Sequence, residues 1–155
     1  MKKGKLIAFA CIIAASLVLY LYFKPVNVHK VYDSVIYSFD SDIEYRTSIE
    51  LDGQLYRDLF GKDKINGNLI VDKDRIYKVQ LKYDGSVYFY HLVSWDDSKA
   101  LKTLGTIQAS KNLDKFWIKL NDIDKRYQLE DSYVFGPAHT KEEAEALVKQ
   151  LMKSE

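Results

Sequence analysis

The stretch IYKVQLKYDGSVYFYHLVSW, Ile76 to Trp95, reads as two strands and the turn between them. Apolar and polar residues alternate from Ile76 to Tyr83, the period of a strand with one buried and one wet face. Asp84-Gly85 interrupts the alternation, and these residue types tolerate the positive φ that a two-residue type I′ turn needs. Such a turn pairs Tyr83 with Ser86, Leu81 with Tyr88, Val79 with Tyr90 and Tyr77 with Leu92, all on one face. That face is the expected core. The other face carries Lys78, Gln80 and Lys82 beside Val87, Phe89, His91 and Val93. Because Ser86–Trp95 is apolar on both faces, it is expected inside a sheet rather than at its edge.

The same reasoning extends upstream. If Lys73-Asp74 were a two-residue loop, Ile65, Leu69 and Val71 would fall on the lysine face. A three-residue loop, Lys73-Asp74-Arg75, returns them to the core face and is the expected one, since a one-residue slip inverts every side chain. Asp42–Asp52 alternates Ile43, Tyr45, Thr47, Ile49 and Leu51 with polar residues and is a strand that Asp52-Gly53 ends. Gln54–Lys64 reads as a short helix or a packed loop. In Val28–Phe39 the residues Val28, Val31, Tyr32, Val35, Ile36 and Phe39 fit a helical stripe, while β-branched and aromatic content argues for a strand; helix is the preferred reading.

Downstream, Leu104–Ala109 and Phe116–Leu120 are two further strands, and Tyr127–Phe135 holds another. Thr140-Lys-Glu-Glu143 is a capping box that opens a helix with Ala144, Leu147, Val148 and Leu151 on one stripe. The expected fold class is therefore α+β: a mainly antiparallel meander of about six strands, packed by a C-terminal amphipathic helix, over residues 25–155.

Residues 1–24 have a separate character. Leu6–Phe23 is an uninterrupted apolar run, preceded by Lys2, Lys3 and Lys5 and closed by Lys24-Pro25. As a helix it spans roughly 27 Å, close to the ~30 Å hydrocarbon core of a bilayer. It is expected to be a transmembrane signal-anchor, with the lipid bilayer as its partner. The leading lysines put the N-terminus in the cytoplasm and the C-terminal domain outside the cell membrane. A cleaved signal peptide cut near Ala14-Ala15-Ser16, or a lipidated Cys11, are the alternatives.

Composition narrows the function of the rest. Four of the 23 lysines and arginines fall in the first 24 residues, which leaves 19 against 22 acidic residues, a net charge of about −3. A mildly acidic domain is a poor candidate for nucleic acid, whose binding rests on neutralising phosphates. Cys11 is the only cysteine, so no disulfide or thiol chemistry is available beyond it.

Motifs of catalysis are sparse. His29, His91 and His139 have no partner at a zinc-ligand spacing. There is no nucleophile elbow and no P-loop. Asp40-Ser-Asp-Ile-Glu44 and Asn121-Asp-Ile-Asp124 approach calcium-loop spacing but lack its glycine and closing glutamate, and read as solvated acidic turns. No cofactor and no metal site is expected. The twelve tyrosines suit strands as well as any sugar platform. Val87, Phe89 and His91 form the candidate contact surface: either the C-terminal helix covers them or they are open to a partner.

Gly53-Gln-Leu-Tyr-Arg-Asp-Leu-Phe60, Asp63-Lys-Ile-Asn-Gly67-Asn-Leu-Ile-Val-Asp72, Leu104-Gly-Thr-Ile107 and Pro137-Ala138 ahead of Glu142-Glu143-Ala144 form a pattern. It resembles an uncharacterised family of small single-pass, membrane-anchored extracytoplasmic proteins of Gram-positive bacteria. The resemblance implies an anchor with an external domain and a bacterial source, and it implies no site residues.

The expected function is a membrane-anchored, non-enzymatic binding module that meets a protein, peptide or envelope polymer. An envelope-acting hydrolase using a carboxylate pair or His91 with a carboxylate, and an accessory subunit of a membrane complex, are the alternatives.

Overall fold

The computed structural model describes residues 2–95 and 101–153, with side-chain surroundings for 4, 7–94 and 101–149. Helix α1 (Lys2–Phe23) leads into β1 (Val26–Ser38), β2 (Glu44–Tyr56), β3 (Lys64–Val71), β4 (Arg75–Tyr83), β5 (Val87–Trp95), β6 (Leu101–Ser110) and β7 (Phe116–Leu120). Helix α2 (Asn121–Tyr127), β8 (Ser132–Gly136) and α3 (Lys141–Lys153) complete the chain. All eight strands are antiparallel to their neighbours, and β8 pairs back onto β1 through Val35↔Phe135 to Ser38↔Ser132.

The result is a closed eight-stranded barrel, which corrects the expected six-stranded sheet. Closure depends on residues 28–39, where the preferred helix is replaced by the long strand β1. The physical reason is visible in Val35, Ile36 and Tyr37, all fully buried. Ile36 points into the barrel, while Val35 and Tyr37 point outward beneath α3. Burial on both faces removes the alternation that marks a strand and leaves a run that can be mistaken for a helical stripe.

The two derived turns keep their faces but not their registers. The β3–β4 loop has the expected three residues, displaced by one to Asp72-Lys73-Asp74, with Val71 opposite Arg75. Asp72 and Lys73 take positive φ there. At Asp84-Gly85 the loop is four residues long, and Tyr83 pairs with Tyr88 instead of Ser86. The Asp84 carboxylate accepts the N–H groups of Ser86 (2.9 Å) and Val87 (3.0 Å), which stabilises the wider turn. Both displacements move the register by two, so each side chain keeps its predicted side.

Side chains fill the barrel. Ile49, Leu51, Ile65, Leu69, Leu81, Ile107, Ile118 and Leu120 are fully buried within one cluster. Eight strands give an interior just wide enough for such packing. Helix α2, within a segment read as a solvated turn, plugs one end with the fully buried Ile123. Hydrogen bonds lock it to the β3–β4 loop. Asp72 accepts from Thr47 (2.9 Å) and Tyr127 (2.8 Å), Arg126 reaches Asp72 and Asp74, and Tyr77 donates to Asp122 at 2.6 Å.

A second cluster lies outside the wall. Val35, Tyr37, Phe135, Ala138, Ala144 and Val148 pack α3 against β1 and β8, with Trp117 stacked on Tyr133 beside them. Thr140 caps the helix as expected, its Oγ1 accepting the Glu143 N–H at 3.3 Å, while the Glu143 carboxylate reaches back one residue further than a capping box requires, to the His139 N–H at 2.8 Å. The expected stripe residue Leu151 lies outside the described side chains. Among the described residues, α3 packs on β1 and β8 and not on the strand that carries Phe89.

Helix α1 requires a second correction. Its described apolar side chains run from Ile7 to Phe23, roughly 26 Å of helix against the ~30 Å hydrocarbon core, and Ser16, Tyr20 and Tyr22 interrupt them. Among the described residues no helix is long and apolar enough to cross a membrane. The expected transmembrane signal-anchor is corrected accordingly, and so are the bilayer as partner and the single-pass placement derived from it. The helix meets the barrel through Tyr22, whose ring lies 5.9 Å from the Arg57 guanidinium and whose hydroxyl is 3.4 Å from the Asp58 carbonyl.

Candidate functional site

The barrel end opposite α2 is open. Here the β2–β3, β4–β5 and β6–β7 loops and the end of α1 surround a cleft of about 360 Å³. Volumes of this order begin the range of small-ligand sites. Its wall is aromatic: the Tyr83 and Tyr88 rings lie 5.3 Å apart, tilted by 53°. The Lys111 ammonium stands 5.6 Å above the Tyr83 ring, a cation–π distance that holds the charge over the cleft. Leu55 supplies an apolar floor, and Asp58 and Asp63 form the facing rim.

The rim is organised by its own hydrogen bonds. Asp63 accepts the Asp58 N–H at 2.8 Å, and Asp58 accepts the Phe60 N–H at 2.8 Å. Of Gln54–Lys64, considered as a short helix or a packed loop, Gln54–Tyr56 belong to β2 and Lys64 to β3, and these bonds shape the loop of residues 57–63 between them. They leave Leu59 and Phe60 projecting at the lip, Phe60 being 88% exposed. Tyr83 donates its hydroxyl to the Gly85 carbonyl at 2.7 Å, which fixes the ring across the wall. Tyr88 is different. Among the described residues no group accepts its hydroxyl proton, and burial together with the Asp63 charge pushes its pKa up to about 12. It therefore presents a neutral hydroxyl to the cleft.

Two other clefts are less available. One lies among Asp42, Glu44, Glu142 and Glu145 around Lys141. Its groups secure the start of α3: Glu44 accepts the Lys141 N–H at 2.6 Å, and the Lys141 ammonium donates to the Ser41 carbonyl at 2.7 Å. The other, lined by Asp33, Arg46 and His139, sits on the outer wall. No group of three or more histidine, cysteine or carboxylate residues able to hold a metal ion occurs among the described residues.

The sequence-derived contact residues lie on the wall between mouth and plug. Val87 is buried, Phe89 half-buried and His91 exposed. Phe89 and His91 meet edge to face at 4.6 Å, and His91 Nδ1 is 3.4 Å from Thr106 Oγ1. Phe89 and His91 thus share an accessible surface, while Val87, on the same face of β5, is buried. The mouth residues Asp63, Tyr83 and Lys111 were not singled out by sequence. A usable signal existed: in an antiparallel meander, alternate loops fall at the same end, so Lys111-Asn112 must neighbour the Asp84-Gly85 turn.

Comparison with protein-family models, with curated proteins and with solved structures returned no match.

Proposed function

We propose that this chain is a binding module that takes a small ring-bearing anion at the mouth of its barrel. The observation that carries the reading is the Tyr83–Tyr88 wall with the Lys111 ammonium held over it. A planar or sugar ring gains contact area against the tyrosines, an anionic group meets Lys111, and Tyr88 donates its free hydroxyl. The packed interior supports binding at the rim over enclosure of a ligand.

Benzoate and glucose 6-phosphate serve as probes of the two ring classes. In calorimetric titration at least one should bind, and Lys111→Ala should weaken it about five- to tenfold, as expected for loss of one exposed charge-assisted contact. Unchanged affinity in the variant, or no heat with either probe, contradicts the reading.

A further inference from the structure

The mouth cleft holds charges of both signs that leave one another unpaired. Among the described residues its lining carries three charged side chains, Lys111 on one side and Asp58 and Asp63 on the other. Each carboxylate commits one oxygen to the rim itself, Asp63 to the Asp58 N–H and Asp58 to the Phe60 N–H, both at 2.8 Å. The second oxygen of each has no partner among the described residues, and neither carboxylate forms an ion pair there. Lys111 likewise has no carboxylate partner among the described residues; its ammonium rests 5.6 Å above the Tyr83 ring.

Neighbouring charges do not close this gap. Asp84, on the β4–β5 turn, is held by the Ser86 and Val87 N–H groups, and Asp114 is held by Ser110. Arg57 turns to the Tyr22 ring, and Lys62 and Lys64 stand outside the lining. A buried donor points into the same space. Tyr88 is only 4% exposed, yet it lines the cleft, and its hydroxyl has no acceptor among the described residues. The Asp63 charge acts on that hydroxyl, so the two face one region. A half-enclosed site strengthens such charges relative to open water, and opposite charges left apart across it favour a guest that carries both.

Building on the ring-and-anion reading above, on which this inference rests, we propose that the mouth takes a free aromatic α-amino acid. Its ring lies against Tyr83 and Tyr88, and its carboxylate meets Lys111 and the adjacent Asn112 amide. Its ammonium donates to the open oxygens of Asp58 and Asp63. A primary ammonium suits this rim better than a quaternary one, because the carboxylates call for N–H donors. An amino acid inside or at the end of a peptide lacks at least one of its two charges, so the free molecule is the occupant. A cleft of about 360 Å³, at the small end of ligand sites, matches one such molecule.

Calorimetric titration of the intact chain with L-phenylalanine, hydrocinnamate and phenethylamine tests it, since hydrocinnamate lacks only the ammonium and phenethylamine only the carboxylate. L-Phenylalanine should bind about tenfold more tightly than either analogue, the loss expected for one charge-assisted contact. Asp58→Asn with Asp63→Asn keeps an oxygen for each rim N–H and removes the charge. It should abolish the preference for L-phenylalanine over hydrocinnamate while hydrocinnamate still binds. If circular dichroism shows the double variant unfolded, Asp58→Asn alone should lower the preference, and no fall overturns the proposal. Equal binding of L-phenylalanine and hydrocinnamate to the native chain overturns the amino-acid assignment and leaves the ring-bearing anion standing. A preference that survives loss of both carboxylates overturns it too, as does benzoate binding without L-phenylalanine binding. Absence of heat with every one of these probes and with glucose 6-phosphate removes the underlying reading as well.

Discussion

At the residue scale the tyrosines divide by what their hydroxyls touch. Burial raises Tyr88 to about 12; burial and the Asp114 charge raise Tyr32 to about 12; burial and the hydrogen bond to Asp72 raise Tyr127 to about 12. Tyr37 and Tyr77 are pushed higher still by burial, reinforced by Glu145 and Asp122 respectively. Folding therefore favours the protonated phenol. Its contribution to stability is complete below the ordinary tyrosine pKa of 10.0 and is lost as pH rises from there through about 12. Absorbance titration at alkaline pH should show a late-ionising group of tyrosines in the folded chain that joins the main transition in denaturant. Tyr88→Phe should remove one member of that group; a single transition near the ordinary value in both states contradicts the assignment. Asp72 offers a second test. Asp72→Ala strips the acceptor from Thr47 and Tyr127 in a partly buried site, at about 1–3 kcal/mol, measurable as a lowered urea midpoint.

At the scale of elements, sequence legibility tracked how one-sided each strand is. β2, β3 and β4 alternate between core and solvent, and their cores were readable from Ile49, Leu51, Ile65, Leu69 and Leu81. β1 was not, because α3 covers its outer face and makes Val35–Tyr37 apolar on both faces. The Asp84-Gly85 turn was located correctly but given the wrong length, since Asp84 caps two further N–H groups and so favours a four-residue loop. Asp52-Gly53 looked like a strand end and instead lies within β2, where Gly53 sits opposite Gly67. A Cβ on Gly67 would lie 2.2 Å from the Asp52 carbonyl oxygen, and one on Gly53 would lie 2.5 Å from that of Asn66. Two bare backbones approach here as side chains cannot. Gly67→Ala should destabilise the chain by about 1–3 kcal/mol, as overpacking does, with the same loss in chemical and thermal unfolding; a neutral effect would mean that the hairpin opens freely at this pair.

For the whole molecule, closure converts a meander with two exposed edges into a barrel whose weakest lateral contact is internal, between β4 and β5. That closure could not be read from the chain, because it depends on Val35–Ser38 pairing with Ser132–Phe135, segments nearly a hundred residues apart that share no local signal. The mouth cleft was hidden for the same reason: Leu55, Asp63, Tyr83, Tyr88 and Lys111 come from separate elements that only the barrel gathers. The central claim is that this closed, side-chain-filled barrel binds at its rim. Intermolecular nuclear Overhauser effects between bound benzoate or glucose 6-phosphate and the protein test it most directly. The account predicts contacts from the probe to the Tyr83 and Tyr88 ring protons and to Lys111. Contacts to the methyl groups of Leu51 and Ile118, deep in the interior, would contradict it.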